Sequence, residues 1–165
     1  MLKEMKVAGI TVDPFTNTPI VLLKDLEDKD VLPIWIGLLE ASSIATALEN
    51  IGTPRPMTHD LMKNILDSLG VKVIKIEVND LKDNTYYALI HLDVNKKRLI
   101  IDSRPSDAIA IALRTNAPIF VEEAVIKKSA KVDLSTKGDK VVTESTDWEE
   151  ILESLSPDDF GKYKM

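Results

Sequence analysis

The chain contains no cysteine, few aromatic residues and no long apolar run. Each absence removes a class of function. Without cysteine there is no disulfide, no thiolate metal site and no cysteine nucleophile, and the composition fits a reducing, cytoplasmic setting. Without about eighteen consecutive apolar residues, no membrane-spanning helix is expected. Residues 1–6 alternate charge and lack an apolar stretch, so no secretory leader is expected either. An excess of basic charge is also missing, because the formal net charge is -6. General attraction to nucleic acid is therefore lacking, and such binding needs a local basic patch or a bridging metal. The Walker loop, Gly-x-Gly-x-x-Gly, His-Glu-x-x-His and Gly-x-Ser-x-Gly signatures are absent.

What is present is an ordinary globular balance, 44% apolar and 29% charged over 165 residues, enough for one domain with its own core. An internal repeat organises it. Residues 6–50 align with 72–116 at an offset of 66, with identities at 8 of 45 positions. The pattern of elements repeats more strongly than the residues do. In the first unit, 6–13, 19–25 and 31–36 read as strands and 38–50 as a helix. In the second, 71–79, 85–93 and 98–102 read as strands and 106–115 as a helix. Pro33 inside a strand marks an edge or a bulge. Short turns inside each unit favour antiparallel neighbours. The expected fold is therefore α+β, a duplicated β-β-β-α unit forming one curved, barrel-like mixed sheet with flanking helices.

Between the units, Thr58 is a suitable N-cap for a helix over 59–69, and Gly70 a suitable stop. After the second unit a short strand over 118–121 and a short helix or turn over 122–129 are expected. The domain then spans 1–129. Residues 130–165 read as a polar linker and a short amphipathic tail helix over 147–155, with Trp148, Ile151, Leu152 and Leu155 on one side.

Two segments concentrate the chemistry. At the junction of third strand and helix, the first unit reads Ile36-Gly37-Leu38-Leu39-Glu40-Ala41, whereas the second reads Asp102-Ser103-Arg104-Pro105-Ser106-Asp107. The first shows that mostly apolar residues can make this junction, so the polar set of the second points to a task. The plainer account is that Ser103 or Ser106 caps the helix, Pro105 opens it and Asp107 meets its dipole. The second segment is Arg55-Pro56-Met57-Thr58-His59-Asp60. An Arg can fork onto phosphate, a His can act as base or ligand near neutral pH, and an Asp can hold a hard cation. Trp35 reads as core and His91 as a satisfied sheet histidine. Tyr86 and Tyr87 place one ring on each face of a strand, and Lys96-Lys97-Arg98 is a solvated basic turn.

Leu32-Pro33-Ile34-Trp35-Ile36-Gly37 with Glu40-Ala41, then Arg55 to Leu61, then Asp102 to Ala108, resemble motifs of the bifunctional nuclease domain family, in order from about residue 5 to residue 129. The tail resembles those of bacterial members. The resemblance implies an α+β fold with a duplicated unit and nuclease activity on both DNA and RNA. Read with the chemistry above, it gives a metal-assisted nuclease of little sequence preference. Glu40, Asp60 and Asp107 are the expected ligands of Mg²⁺ or Mn²⁺. His59, Arg55, Arg104, Thr58 and Ser106 are the expected catalytic set, with the two arginines on phosphate. The acidic charge favours a different function, a non-catalytic oligomeric binding or regulatory module. A homo-oligomer is expected in either case.

Overall fold

The computed structural model describes residues 1–129. The expected linker and tail helix of 130–165 lie outside the described residues.

Three strands open the chain, β1 (Leu2–Val12), β2 (Pro19–Asp25) and β3 (Val31–Trp35), followed by helix α1 (Leu38–Leu48). Helix α2 (Thr58–Ser68) leads to β4 (Lys72–Lys82), β5 (Thr85–Val94) and β6 (Lys97–Ser103). Helix α3 (Pro105–Thr115), strand β7 (Ile119–Glu122) and helix α4 (Glu123–Ser129) complete the described part. No helix among the described residues is long and apolar enough to cross a membrane.

Turn chemistry fixes the second meander. Asp83 and Asn84 both take positive φ between β4 and β5, as do Asn95 and Lys96 between β5 and β6. Two successive left-handed residues make the tight turn whose twist matches a hairpin, and Asn and Asp adopt that conformation at little cost.

The seven strands form a single sheet in the order β3-β2-β1-β7-β4-β5-β6. Strand β7 lies between the first strands of the two meanders, antiparallel to β1 and parallel to β4. The third strands, β3 and β6, stand at opposite edges, and these two edges do not pair with each other. The sheet is thus mixed, as expected, but open rather than a closed barrel. It nevertheless curls. The Tyr86 hydroxyl on β5 donates to the Pro33 carbonyl on β3 at 3.0 Å, although four strands separate β5 from β3 in the ladder. Pro33 stands in an edge strand, where its missing N–H removes no ladder bond.

Helix α3 is the centre of the helical layer and packs against α1, α2, β4 and β5. Its run Ala108, Ile109, Ala110, Ile111 and Ala112 is buried throughout. A helix apolar on every side belongs inside, and its alanines let neighbouring backbones approach closely. Asn116, with φ 55°, ends it in the left-handed conformation.

Candidate functional site

The starts of α1, α2 and α3 converge on one network of side chains. Arg104 is the N-cap residue of α3, and Pro105 follows at the first helical position. The expected serine caps at this end are therefore replaced by the extended backbone of Arg104, whose side chain is left to make other contacts. Its Nε donates to Asp107 Oδ2 at 2.9 Å, its Nη2 to Asp107 Oδ1 at 3.3 Å, and its Nη1 to Glu40 Oε1 at 3.0 Å. One guanidinium thus joins the first turns of α1 and α3. Gly37, the N-cap residue of α1, makes room for this. A Cβ at that position would collide with the Glu40 carboxylate.

His59 ties in α2. It is buried, and both ring nitrogens are engaged: Nε2 lies 2.9 Å from Asp107 Oδ1, and Nδ1 lies 2.6 Å from Ser43 Oγ on α1. The hydrogen bond from His59, together with Arg104, holds the Asp107 carboxyl down from 3.8 to about 2, against the opposing effect of burial. An ionised Asp107 accepts from Nε2–H, while Nδ1 pairs with the Ser43 hydroxyl. The chain Asp107–His59–Ser43 runs across all three helices.

Asp60 faces the other way. Arg114, on the last turn of α3, donates to Asp60 Oδ1 at 2.7 Å, and the Met57 N–H donates to Asp60 Oδ2 at 3.0 Å. These contacts hold the Asp60 carboxyl below the usual carboxylate range. Arg114 also donates to the carbonyls of Ala110 and Ser43, each at 3.0 Å, so a nearly buried cation staples α1, α2 and α3.

The predicted site residues therefore divide. Glu40, Arg104, Asp107 and His59 are brought together, with Ser106 buried on the same turn of α3. Asp60 belongs to the Arg114 staple. Arg55 and Thr58 are exposed; the Arg55 carbonyl accepts from Thr53 at 2.6 Å, and Met57 rather than Thr58 is the N-cap residue of α2. Glu40, Asp60 and Asp107 do not form one donor set. Among the described residues, no three His, Cys, Asp or Glu side chains stand close enough to hold a metal ion. Arg104 occupies the space between Glu40 and Asp107 where a cation would have to lie.

Sequence reasoning missed Ser43 and Arg114, both inside helices rather than at their starts. Trp35 is not core. It is half-buried, and its indole N–H donates to Asp13 Oδ2 at 3.1 Å. The His91 Nε2 atom lies 2.8 Å from Glu77 Oε2, but it is not aligned for a hydrogen bond and remains a buried nitrogen without one.

A cleft of about 250 Å³ opens beside the network. Trp35 and Tyr86 stand on its walls, Asn84 and Thr85 come from the β4–β5 turn, and Glu40, Arg104 and Ser106 form its polar end. It lies where the curled sheet brings β3 near the β4–β5 hairpin. The Arg104 side chain is 56% exposed, so its guanidinium meets solvent while its partners fix its position.

A family model for the bifunctional nuclease domain matches residues 21–133. The chain belongs to the bifunctional nuclease domain family. An uncharacterized protein of Mycobacterium tuberculosis is 38% identical over 162 residues, covering 95% of this chain and 97% of its own length. Bifunctional nuclease 1 of Oryza sativa subsp. japonica is 31% identical over 110 residues, 64% of this chain and 33% of the plant protein. Bifunctional nuclease 2 of Arabidopsis thaliana is 33% identical over 108 residues, 62% of this chain and 32% of that protein. The family match spans the whole Glu40–Arg104–Asp107–His59 network.

Proposed function

We propose that this family member is a nuclease that hydrolyses phosphodiesters of DNA and RNA with little sequence preference, and that the cleft beside Arg104 is its site. The observation that carries the reading is the state of Arg104. It is a half-exposed guanidinium at the N-terminus of α3, oriented by two carboxylates and open to a cleft with aromatic walls. A helix N-terminus with an adjacent arginine favours an anion, and a fixed fork matches phosphate geometry. Trp35 and Tyr86 offer apolar surface to a base, which is sequence-tolerant.

Within this reading Arg104 binds the phosphate and Glu40, in the same cleft, orients the attacking water. Asp107 positions Arg104, and His59 positions Asp107. The burial of His59 and the engagement of both its nitrogens favour a positioning role over direct water activation. A divalent metal is not used in any of these steps, because the carboxylates as placed do not fit one.

A second reading is a non-catalytic binding or regulatory module. It is favoured by the fact that each charged group of the network already has a partner inside the protein. One experiment separates the two. Purified protein is incubated with single-stranded RNA and DNA under Mg²⁺, Mn²⁺ or EDTA, beside Arg104→Gln, with folding of both checked by circular dichroism. The nuclease reading expects Arg104→Gln to keep its fold and lose cleavage by roughly a hundredfold or more, the scale of a lost charge-stabilising donor. No cleavage by the wild type, or equal cleavage by the variant, would refute it and support the second reading.

A further inference from the structure

Strand β6 ends the sheet, and nothing among the described residues pairs with its outer edge. Its central residues Leu99, Ile100 and Ile101 are 49%, 55% and 42% exposed. On the β5 side, Leu99 and Ile101 stand opposite Leu92 and Ile90, whereas Ile100 stands opposite His91. The strand therefore shows apolar side chains on both faces. A long apolar edge is a template for pairing with another strand, and folded proteins cover such edges or guard them with charge.

The flanking charges here are not a simple guard. Lys97 and Arg98 precede the apolar triplet and Asp102 follows it. We infer that two copies of this chain pair antiparallel along β6 about a two-fold axis at Ile100. That register sets Ile100 against its own equivalent, Leu99 against the partner's Ile101, and Arg98 against the partner's Asp102. By symmetry each of the last two contacts is made twice, as an isologous interface requires. Centring the axis on Leu99 or Ile101 instead would set Ile100 against Arg98 or Asp102. Only the Ile100 register joins apolar to apolar and basic to acidic.

The pairing also sets the partner's Lys97 opposite Ser103, one residue from Arg104. Basic charge from a second copy would thus stand beside the cleft of an acidic chain. This last consequence rests on the nuclease reading; the pairing itself does not.

The test measures mass in solution, without nucleic acid, by sedimentation of the full chain, Arg98→Asp, Asp102→Arg and their equimolar mixture. Circular dichroism checks that each variant is folded. The wild type is expected to be dimeric. Each variant alone sets like charges opposite each other twice, and its dimer should weaken roughly tenfold. The mixture restores both unlike pairs and should dimerise as the wild type does. Arg98 also lies opposite Asp93 in its own chain, but mixing cannot repair an intrachain loss, so recovery reports the interface alone. A monomeric wild type would overturn the inference, as would variants that associate like the wild type or a mixture that fails to recover.

Discussion

Replacing Asp107 by Asn should weaken the fold in a way that depends on pH. The Asp107 carboxyl is held from 3.8 down to about 2, first by the His59 hydrogen bond and then by Arg104. At about 1.4 kcal/mol per unit, that depression corresponds to roughly 2 kcal/mol. The Asp107 side chain is 28% exposed and its partner Arg104 is 56% exposed, so solvent screens part of the interaction. About 1–2 kcal/mol remains as the expected loss near neutral pH. A depressed carboxylate contributes in full above its unfolded value, and the contribution disappears as pH falls through its folded value. The gap between wild type and Asp107→Asn should therefore have its full size from about pH 6 upward, and should shrink steadily as pH falls to about 3. Urea unfolding followed by circular dichroism at a series of pH values measures it. A gap of equal size at both ends would show that the loss is a packing or capping effect, and the electrostatic account of this network would fail.

Three further outcomes follow from neighbouring contacts. Arg114→Met should cost about 2–4 kcal/mol in urea unfolding, because it strips Asp60 and two helix carbonyls of a nearly buried donor, and Arg114→Lys should recover little, since an ammonium cannot reproduce the fork. Ser43→Ala should cost about 1–3 kcal/mol by leaving the buried His59 Nδ1 without its hydroxyl partner; Ser43→Thr, which keeps a hydroxyl, should lose less in the same assay. Ile109→Ala should cost about 2–5 kcal/mol in thermal or urea unfolding, since Ile109 is fully buried in the central helix and its neighbours are fixed on several sides.

Local chemistry was readable from the residues and partner choice was not. Strand β2 and the left-handed turns at Asp83-Asn84 and Asn95-Lys96 follow from short-range preferences of β-branched residues, Asn and Asp, which act within a few positions. The helix starts were placed for the same reason, to within about a residue. Closure of the sheet is not legible in this way, because it depends on whether the edge strands β3 and β6 pair with each other, a long-range contact that local pattern does not encode. Trp35 was misplaced because an apolar strand pattern does not reveal that the face it borders is a cleft.

The division of the three expected carboxylates has a physical cause that local pattern could not supply. Glu40, Asp60 and Asp107 occupy equivalent places at three helix starts, where any acid gains from the dipole. Their fates differ because two arginines compete for them. Arg104 is itself at a helix start and takes the two acids beside it. Arg114 lies about three turns further along α3, emerging from an apolar run in which a cation must find an anion or leave the core. A lone arginine at the end of a helix with a buried apolar run was the available signal. It requires a counter-ion on a neighbouring element, and Asp60 is the acid that meets it. Had Arg114 been a methionine, Asp60 would lack its principal reason to turn away from the other two. The Arg114→Met variant thus tests the partition as well as the stability, and the Asp60 carboxyl should titrate closer to its ordinary value when followed by NMR.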